Sequence, residues 1–380
     1  MDPVKIGIIG FGKSANCFHL PFILPNKDIE VYAFLQRAPA SAAKTQMYGH
    51  CTDKYPQAKH YQTAKSFFAD PNIEVVIVTS TIHETFAKQA LEAGKHVAVE
   101  KPFTPSTAIA DELIALAKAK GKILTVFQNR RLDSDFRTVQ HLLAQNALGD
   151  VLEAEIHIDV DPPAAPWTDA YVDKAYEPGL GSIFEVGSHT LDQALTLFGK
   201  PAFVTAFMRS YRDDGTFVDA DVHDSYTLVL EYDGAQKGQL VTVKTNIASV
   251  MKDQLRFWVR GKTGTFLKFG LCPQADRALA SPSVPADDPL YGTENERIWG
   301  TLTTKTKVDA SQTLDDDTGF YTGKYPSLPG YYRGYYENLV DAVRGKAEIA
   351  VKPEQSRAGI RLMELARQSH ETRATVAWSE

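Results

Sequence analysis

Residues 4–19 read VKIGIIGFGKSANCFH, and this stretch decides the fold. Val4, Ile6, Ile8 and Ile9 form a short, nearly continuous apolar run. That is how a strand covered on both faces of a parallel sheet reads. The run ends in Gly10-Phe11-Gly12-Lys13-Ser14-Ala15, a Gly-x-Gly-x-x-Ala pattern. Gly10 allows a tight turn, Gly12 lets backbone approach a pyrophosphate, and Ala15 lets the next helix pack near the strand. The helix start then offers N–H groups and a partial positive charge to phosphates. A glycine turn in some other α/β protein is the plain alternative. The strand before and the helical segment after favour a dinucleotide site.

Alternation continues for over a hundred residues. Ile29–Leu35, 73–81, 95–100 and 123–127 read as further strands, with helices at His83–Leu91 and after Thr104-Pro105, taken as an N-cap and first helical position. This is a doubly wound parallel sheet, with ligands at the strand C-termini. Gly10, Gln36, Thr79, Lys101 and Asn129 each lie just past a strand. Gln36-Arg37 falls where such a fold reads the ribose. No acid stands there to accept from a 2′-hydroxyl, and Arg37 can pair with a 2′-phosphate, so NADP is preferred over NAD. A solvated strand-end charge is the competing reading of Arg37. Lys101 beside a cofactor would be suited to proton transfer or to polarising a hydroxyl; pairing with Glu100 is its structural alternative.

After Asn129 the pattern turns to strands at 152–160, 202–208, 226–232, 238–245 and 255–259. They read as one open, mostly antiparallel sheet in an α+β domain. The division expected is 1–128 for cofactor and 129–380 for substrate and oligomerisation, with the terminal helices candidates to pack back on the first domain. Gly181–Phe198 reads as one apolar helix carrying Glu185, His189 and Asp192 at i, i+4 and i+7, a stripe suited to acid–base work. A metal is the rival use, but no further His or Cys ligand is at hand, so none is expected. A solvent-facing stripe is the plain alternative. Residues 270–328 read as long loops.

Composition sets limits. Of 380 residues, 43% are hydrophobic and 23% charged, as in ordinary globular proteins. The net charge of −6 comes without a basic cluster, against nucleic acid as a partner. No run is long and apolar enough for a membrane helix, and the first strand begins at Val4, so a leader is not expected. Three scattered cysteines, without CxxC, fit a reduced cytoplasmic setting.

Three stretches together resemble the Gfo/Idh/MocA oxidoreductases: KIGIIGFGKSA, HETFAKQALEAGKHVAVEKPF and GSIFEVGSHTLDQALTLFGKP. Glu100-Lys101-Pro102 is the most specific. NRRLDSDF (129–136) and KFG (268–270) resemble the NADP-dependent scyllo-inositol dehydrogenase subgroup. The resemblance implies hydride transfer between nicotinamide and a sugar or cyclitol carbon. Lys101 would contact the reacting hydroxyl and His189 would be the catalytic histidine. Glu185 stands where most relatives carry Asp. Pro102 would follow a bond often cis in relatives. The resemblance also implies a homodimer or homotetramer through the second-domain sheet.

The cofactor contacts expected are Gly10, Phe11, Gly12, Lys13, Ser14, Ala15, Gln36, Arg37, Thr79, Ser80, Thr81, His83, Glu100, Lys101 and Asn129. Asp192, Asn129, Arg131 and Trp167 are the substrate candidates. Two rivals stand beside the dehydrogenase. One is a catalytically silent NADP-binding regulator. The other is a reductase of non-sugar carbonyls or dihydrodiol dehydrogenase, with Trp167, Tyr171, Tyr176 and Phe184 lining a flat pocket.

Overall fold

Among the described residues, six parallel strands form the first sheet: β1 Val4–Ile9, β2 Ile29–Leu35, β3 Lys59–Tyr61, β4 Val75–Val78, β5 His96–Val99 and β6 Leu124–Val126. The computed structural model describes residues 2–41, 47–160, 173–212, 214–280 and 284–379. Strand order is β3-β2-β1-β4-β5-β6. β1 is hydrogen-bonded to β2 on one side and β4 on the other. The order reverses beside β1, which opens a crevice at its C-terminal end. Ile6, Ile8, Ile9 and all four residues of β4 are buried, each contributing roughly 1.5–3 kcal/mol over exposure.

β3 escapes the sequence reading because Lys59-His60-Tyr61 carries no apolar run. The helix before β6 starts at Thr107, not Pro105. Ser106 is its N-cap, accepting from Ile109 N, while Thr104 Oγ1 donates to Ser106 O. The Lys101–Pro102 bond is cis.

The second sheet comprises β7 Val151–His157, β8 Phe203–Tyr211, β9 Phe217–Val218, β10 Ser225–Glu231, β11 Leu240–Thr245, β12 Leu255–Gly261, β13 Gly264–Phe269, β14 Gly300–Thr304, β15 Thr313–Leu314, β16 Tyr321–Tyr325 and β17 Val376–Ala377. Its order is β15-β16-β14-β13-β12-β7-β11-β10-β8-β17, with β9 also on β8. Only β7–β11 is a parallel pair among these neighbours. β14, β15, β16 and the helix Gln274–Leu279 occupy the stretch read as loops.

The outer margin of β8 is held along its length. β17 pairs with Phe203 and Val204, and β9 with Ser210 and Tyr211. Between them Ala206 N donates to Ser369 Oγ and Met208 N to His370 Nδ1, at 3.0 and 3.1 Å.

The described chain divides into two compact units. Met1–Leu132, Gln274–Tyr291 and Tyr331–Arg357 make one; Asp133–Pro273, Gly292–Gly330 and Ala358–Glu380 make the other. In the first, Tyr335 and Tyr336 of the Arg333–Val343 helix pack on Phe127, next to β6. In the second, Arg256 is buried and bonded to Asp135, Gln193 and the His157 carbonyl. No helix among the described residues is long and apolar enough to cross a membrane.

Candidate cofactor cleft and site residues

A cleft of about 900 Å³ opens in the first unit, where β1, β2 and β4 end. Gly10, Phe11, Gly12, Lys13, Gln36, Arg37, Ser80 and Thr81 of the expected cofactor set line it. Gly10 has φ +96°, and a Cβ there would stand 2.8 Å from Thr79 Oγ1. Thr79 supports that turn by donating to Ile9 O at 2.8 Å. Gly12 differs: nothing in the protein lies within 4 Å of where its Cβ would be. Packing within the chain does not demand glycine at 12, and the open space there leaves room for a group to approach the backbone closely. The residues present thus fit a dinucleotide pyrophosphate.

The remaining expected cofactor residues sit among protein partners. Ala15 is buried. His83 Nδ1 donates to Pro102 O at 2.8 Å. Asn129 is buried, and Lys101 is half-buried just past β5. Glu100 faces inward: Oε1 accepts from Ser14 Oγ and from His19 Nε2 at 2.8 Å, and Oε2 accepts from Lys101 N at 2.9 Å. The Lys101 backbone N–H thus belongs to this network, and the Lys101 charge acts on the same carboxyl. His19 Nδ1 lies 2.5 Å from Tyr336 Oη.

Ser14 and His19 both reach one carboxylate because Ser14–His19 is a π-helix. Its wider turn brings residues five apart onto a common side, which a regular α-helix does not. Pro21 follows closely and has no N–H to continue a normal ladder.

Burial pushes the Glu100 carboxyl up, but the His19 bond and field, the Ser14 hydroxyl and the Lys101 charge outweigh it, and the group is lowered to about 2. A carboxyl depressed on folding contributes stability that is complete above its unfolded value and is lost as pH falls towards the folded one. Wild type is therefore expected to lose stability relative to Glu100→Gln as pH drops from about 5 to about 3. Urea unfolding midpoints across that range check it, and parallel curves for the two proteins would refute the assignment.

Gln36 is buried, with Oε1 accepting from Cys51 N at 2.9 Å and Nε2 reaching Gly49 O at 3.5 Å. Arg37 next to it is exposed. Arg131, a substrate candidate, donates to Gln355 Oε1 at 2.9 Å. Met47, Tyr48, Gln62, Thr63 and Ala64 also line the cleft and were not anticipated. The last three follow β3, so missing that strand meant missing them. Thr63 does carry a signal, as the N-cap that accepts from Ser66 N.

In the second unit the helix expected over Gly181–Phe198 is two helices, Ser182–Glu185 and Gly187–Phe198, stepped at Val186. Glycine at 187 disfavours helix continuation, and the chain there packs closely on buried Tyr226. A Cβ on Gly187 would stand 3.3 Å from Tyr226 Oη and 3.1 Å from Ile183 Cγ1. Thr190 Oγ1 and Thr245 Oγ1 both bond that hydroxyl at 2.8 Å. Glu185 closes the first of these helices and His189 and Asp192 lie on the second, with Val186 between them in right-handed helical conformation. Glu185 is exposed, His189 half-buried and Asp192 buried.

Trp167 and Tyr171 lie outside the described residues. Phe184 is buried, the Arg367 guanidinium lies 3.3 Å from the Tyr176 ring centre, and both aromatics border one small cavity with Leu180 and Met208.

Two groups bring possible metal donors within 4.8 Å: His50, Cys51 and His60, and Asp133, Asp135 and Cys272. His50 uses both ring nitrogens, on Ala38 O and Thr52, and Asp135 holds Arg256 Nε and Phe136 N.

Residues 4–128 match the oxidoreductase family with an NAD-binding Rossmann fold, and residues 136–267 match the Gfo/Idh/MocA C-terminal domain. The chain is similar to an uncharacterized oxidoreductase of Schizosaccharomyces pombe, 34% identical over 99% of this chain and 100% of that one. It is also similar to scyllo-inositol 2-dehydrogenase (NADP(+)) IolW of Bacillus subtilis, 30% identical over 99% and 96%. The solved structure of yvaA from Bacillus subtilis superposes with TM-score 0.84 at 27% identity, covering 100% of this chain and 99% of that one. With a dinucleotide cleft built on Gly10 and Gly12 and both halves matched, the chain belongs to the Gfo/Idh/MocA family of oxidoreductases.

Proposed function

We propose that the protein is an NADP-dependent dehydrogenase or reductase acting on CH–OH groups of a cyclitol, sugar or related polyol, or on the matching carbonyl. The observation that carries the cofactor choice is the end of β2. Arg37 is exposed on the cleft wall, no acid stands beside it, and the Gln36 amide is occupied by Cys51 N and Gly49 O. A guanidinium there favours a phosphate over a bare hydroxyl. The substrate class is supported by the relative that is named a scyllo-inositol dehydrogenase.

A bound nicotinamide dinucleotide supplies the carbon that accepts or gives the hydride. The chain does the rest. The turn from Gly10 to Lys13 holds the pyrophosphate, and Arg37 holds the 2′-phosphate. Lys101 polarises the reacting oxygen. His189 takes the hydroxyl proton in oxidation and returns one in reduction. Asp192 and Glu185 orient the imidazole or bind neighbouring hydroxyls, and Asn129 and Arg131 contribute polar contacts to substrate.

Turnover of NADPH and NADH over inososes, sugars, aldehydes and an aromatic dihydrodiol tests this reading. Activity on polyol-related substrates with NADPH preferred is expected. Tight NADPH binding with no turnover on any of them would indicate a silent regulator instead. Arg37→Asp should move the NADPH:NADH preference towards NADH by on the order of ten- to a hundredfold, the worth of a charged hydrogen bond. An unchanged ratio would remove Arg37 as the phosphate reader.

A further inference from the structure

Arg37 stands between two backbone carbonyls, and an imidazole holds each of them. His60 Nε2 donates to Gln36 O at 2.9 Å, and His50 Nε2 donates to Ala38 O at 3.0 Å. A carbonyl has no hydrogen to give, so both rings carry a proton on Nε2. The two rings meet edge to face, with centroids 4.6 Å apart at 90°.

Each ring is itself anchored. His50 is fully buried, and its Nδ1 caps the helix Cys51–Lys54 by accepting from Thr52 N at 3.3 Å. The Thr52 hydroxyl meets the same nitrogen at 2.8 Å. His60 lies in β3, which pairs with the end of β2 through Phe34. The loop is closed a third time by the Gln36 side chain on Cys51 N. The backbone on both sides of an exposed arginine is thus fixed, while the arginine side chain faces the cleft wall.

An arginine on a loose loop must be ordered when it meets a phosphate, and that ordering subtracts from affinity. Fixing the loop beforehand removes part of the cost, which is how preorganisation raises affinity. The gain falls only on a ligand that Arg37 touches. NADH lacks the 2′-phosphate and gains little.

We propose that His50 and His60 are positioning residues for cofactor selection: they clamp the Gln36 and Ala38 carbonyls and so present Arg37 to the 2′-phosphate. The proposal rests on the reading of Arg37 as the phosphate reader. His60 is half-buried and accepts substitution more readily than His50, so it carries the test.

The experiment measures dissociation constants of NADPH and NADH for the full chain, by fluorescence titration. The proteins are wild type, His60→Ala, His60→Gln, Arg37→Ala and the His60→Ala/Arg37→Ala double variant. His60→Ala should weaken NADPH binding roughly three- to tenfold, the worth of one hydrogen bond, with NADH affected less. His60→Gln should restore the ratio, because its amide N–H can donate to the same carbonyl. In the Arg37→Ala background, His60→Ala should leave the ratio where it is. His50→Ala, with folding checked by circular dichroism, should lower the ratio as His60→Ala does.

Equal loss for both cofactors, no loss at all, or a His60 effect that persists without Arg37 would overturn the clamp. If Arg37→Ala lowers the ratio and His60→Ala does not, the clamp alone falls. If Arg37→Ala leaves the ratio unchanged, the phosphate-reader assignment falls, and the clamp with it.

Discussion

Lys101→Ala and His189→Ala should each lower turnover by about a hundred- to ten-thousandfold, the range for a placed proton-transfer group, while NADPH still binds. The case for Lys101 begins with its backbone. It is the second residue after β5, and its N–H is held at 2.9 Å by Glu100, itself fixed by Ser14 and His19. A main chain held this firmly gives the side chain a defined origin. The residues lining the cofactor cleft remain in both variants, so NADPH affinity should stay within a few-fold. The loss should therefore appear in kcat and kcat/KM together, the sign of contacts made in the transition state. Steady-state kinetics beside NADPH fluorescence titration separate the two quantities. Full turnover in either variant would remove that residue from the mechanism.

Breaking the Lys268–Glu294 pair should cost the second unit roughly 3–5 kcal/mol. Both side chains are completely buried, and Nζ lies 2.8 Å from Glu294 Oε2 and 2.6 Å from Ile298 O. Glu294 also accepts from Ser134 Oγ at 2.7 Å and Ser327 Oγ at 2.6 Å. Lys268→Met leaves a carboxylate facing two hydroxyls and no cation. The size of the cost comes from that stranded charge more than from the lost attraction. Lys268→Met with Glu294→Gln should accordingly cost less than Lys268→Met alone, a coupling that a double-mutant cycle in urea reads directly. A single-variant loss below about 1 kcal/mol would show that the site relaxes or admits water.

The dinucleotide half was legible because its signals are local. A buried parallel strand is apolar throughout, and the glycine turn needs no distant partner to be recognised. β3 was invisible for the same reason: three polar or aromatic residues at a sheet margin carry no pattern. In the second half, tertiary contacts overrode local texture. Gly300 opens β14 inside a stretch rich in turn residues, and it reads as a breaker. In the structure the glycine is needed, since a Cβ there would run into the Phe266 ring. The step within 181–198 likewise falls where Gly187 packs on Tyr226, more than thirty residues further along. The bonds to Gln36 O and Ala38 O could not be foreseen either, because His60 reaches that loop only through β3 and His50 only from the start of the Cys51–Lys54 helix.

β8 also bears on how the protein behaves when crowded. A strand that ends a sheet is a template for any extended peptide, and this one shows Phe203 and Phe207 to solvent. Yet Val204, Ala206, Met208 and Ser210, the alternate positions a newcomer would have to bond, are already engaged by β17, Ser369, His370 and β9. Fibril-like accretion at this border is thereby opposed, and the guard consists of a helix's last turn and two strands of two residues each.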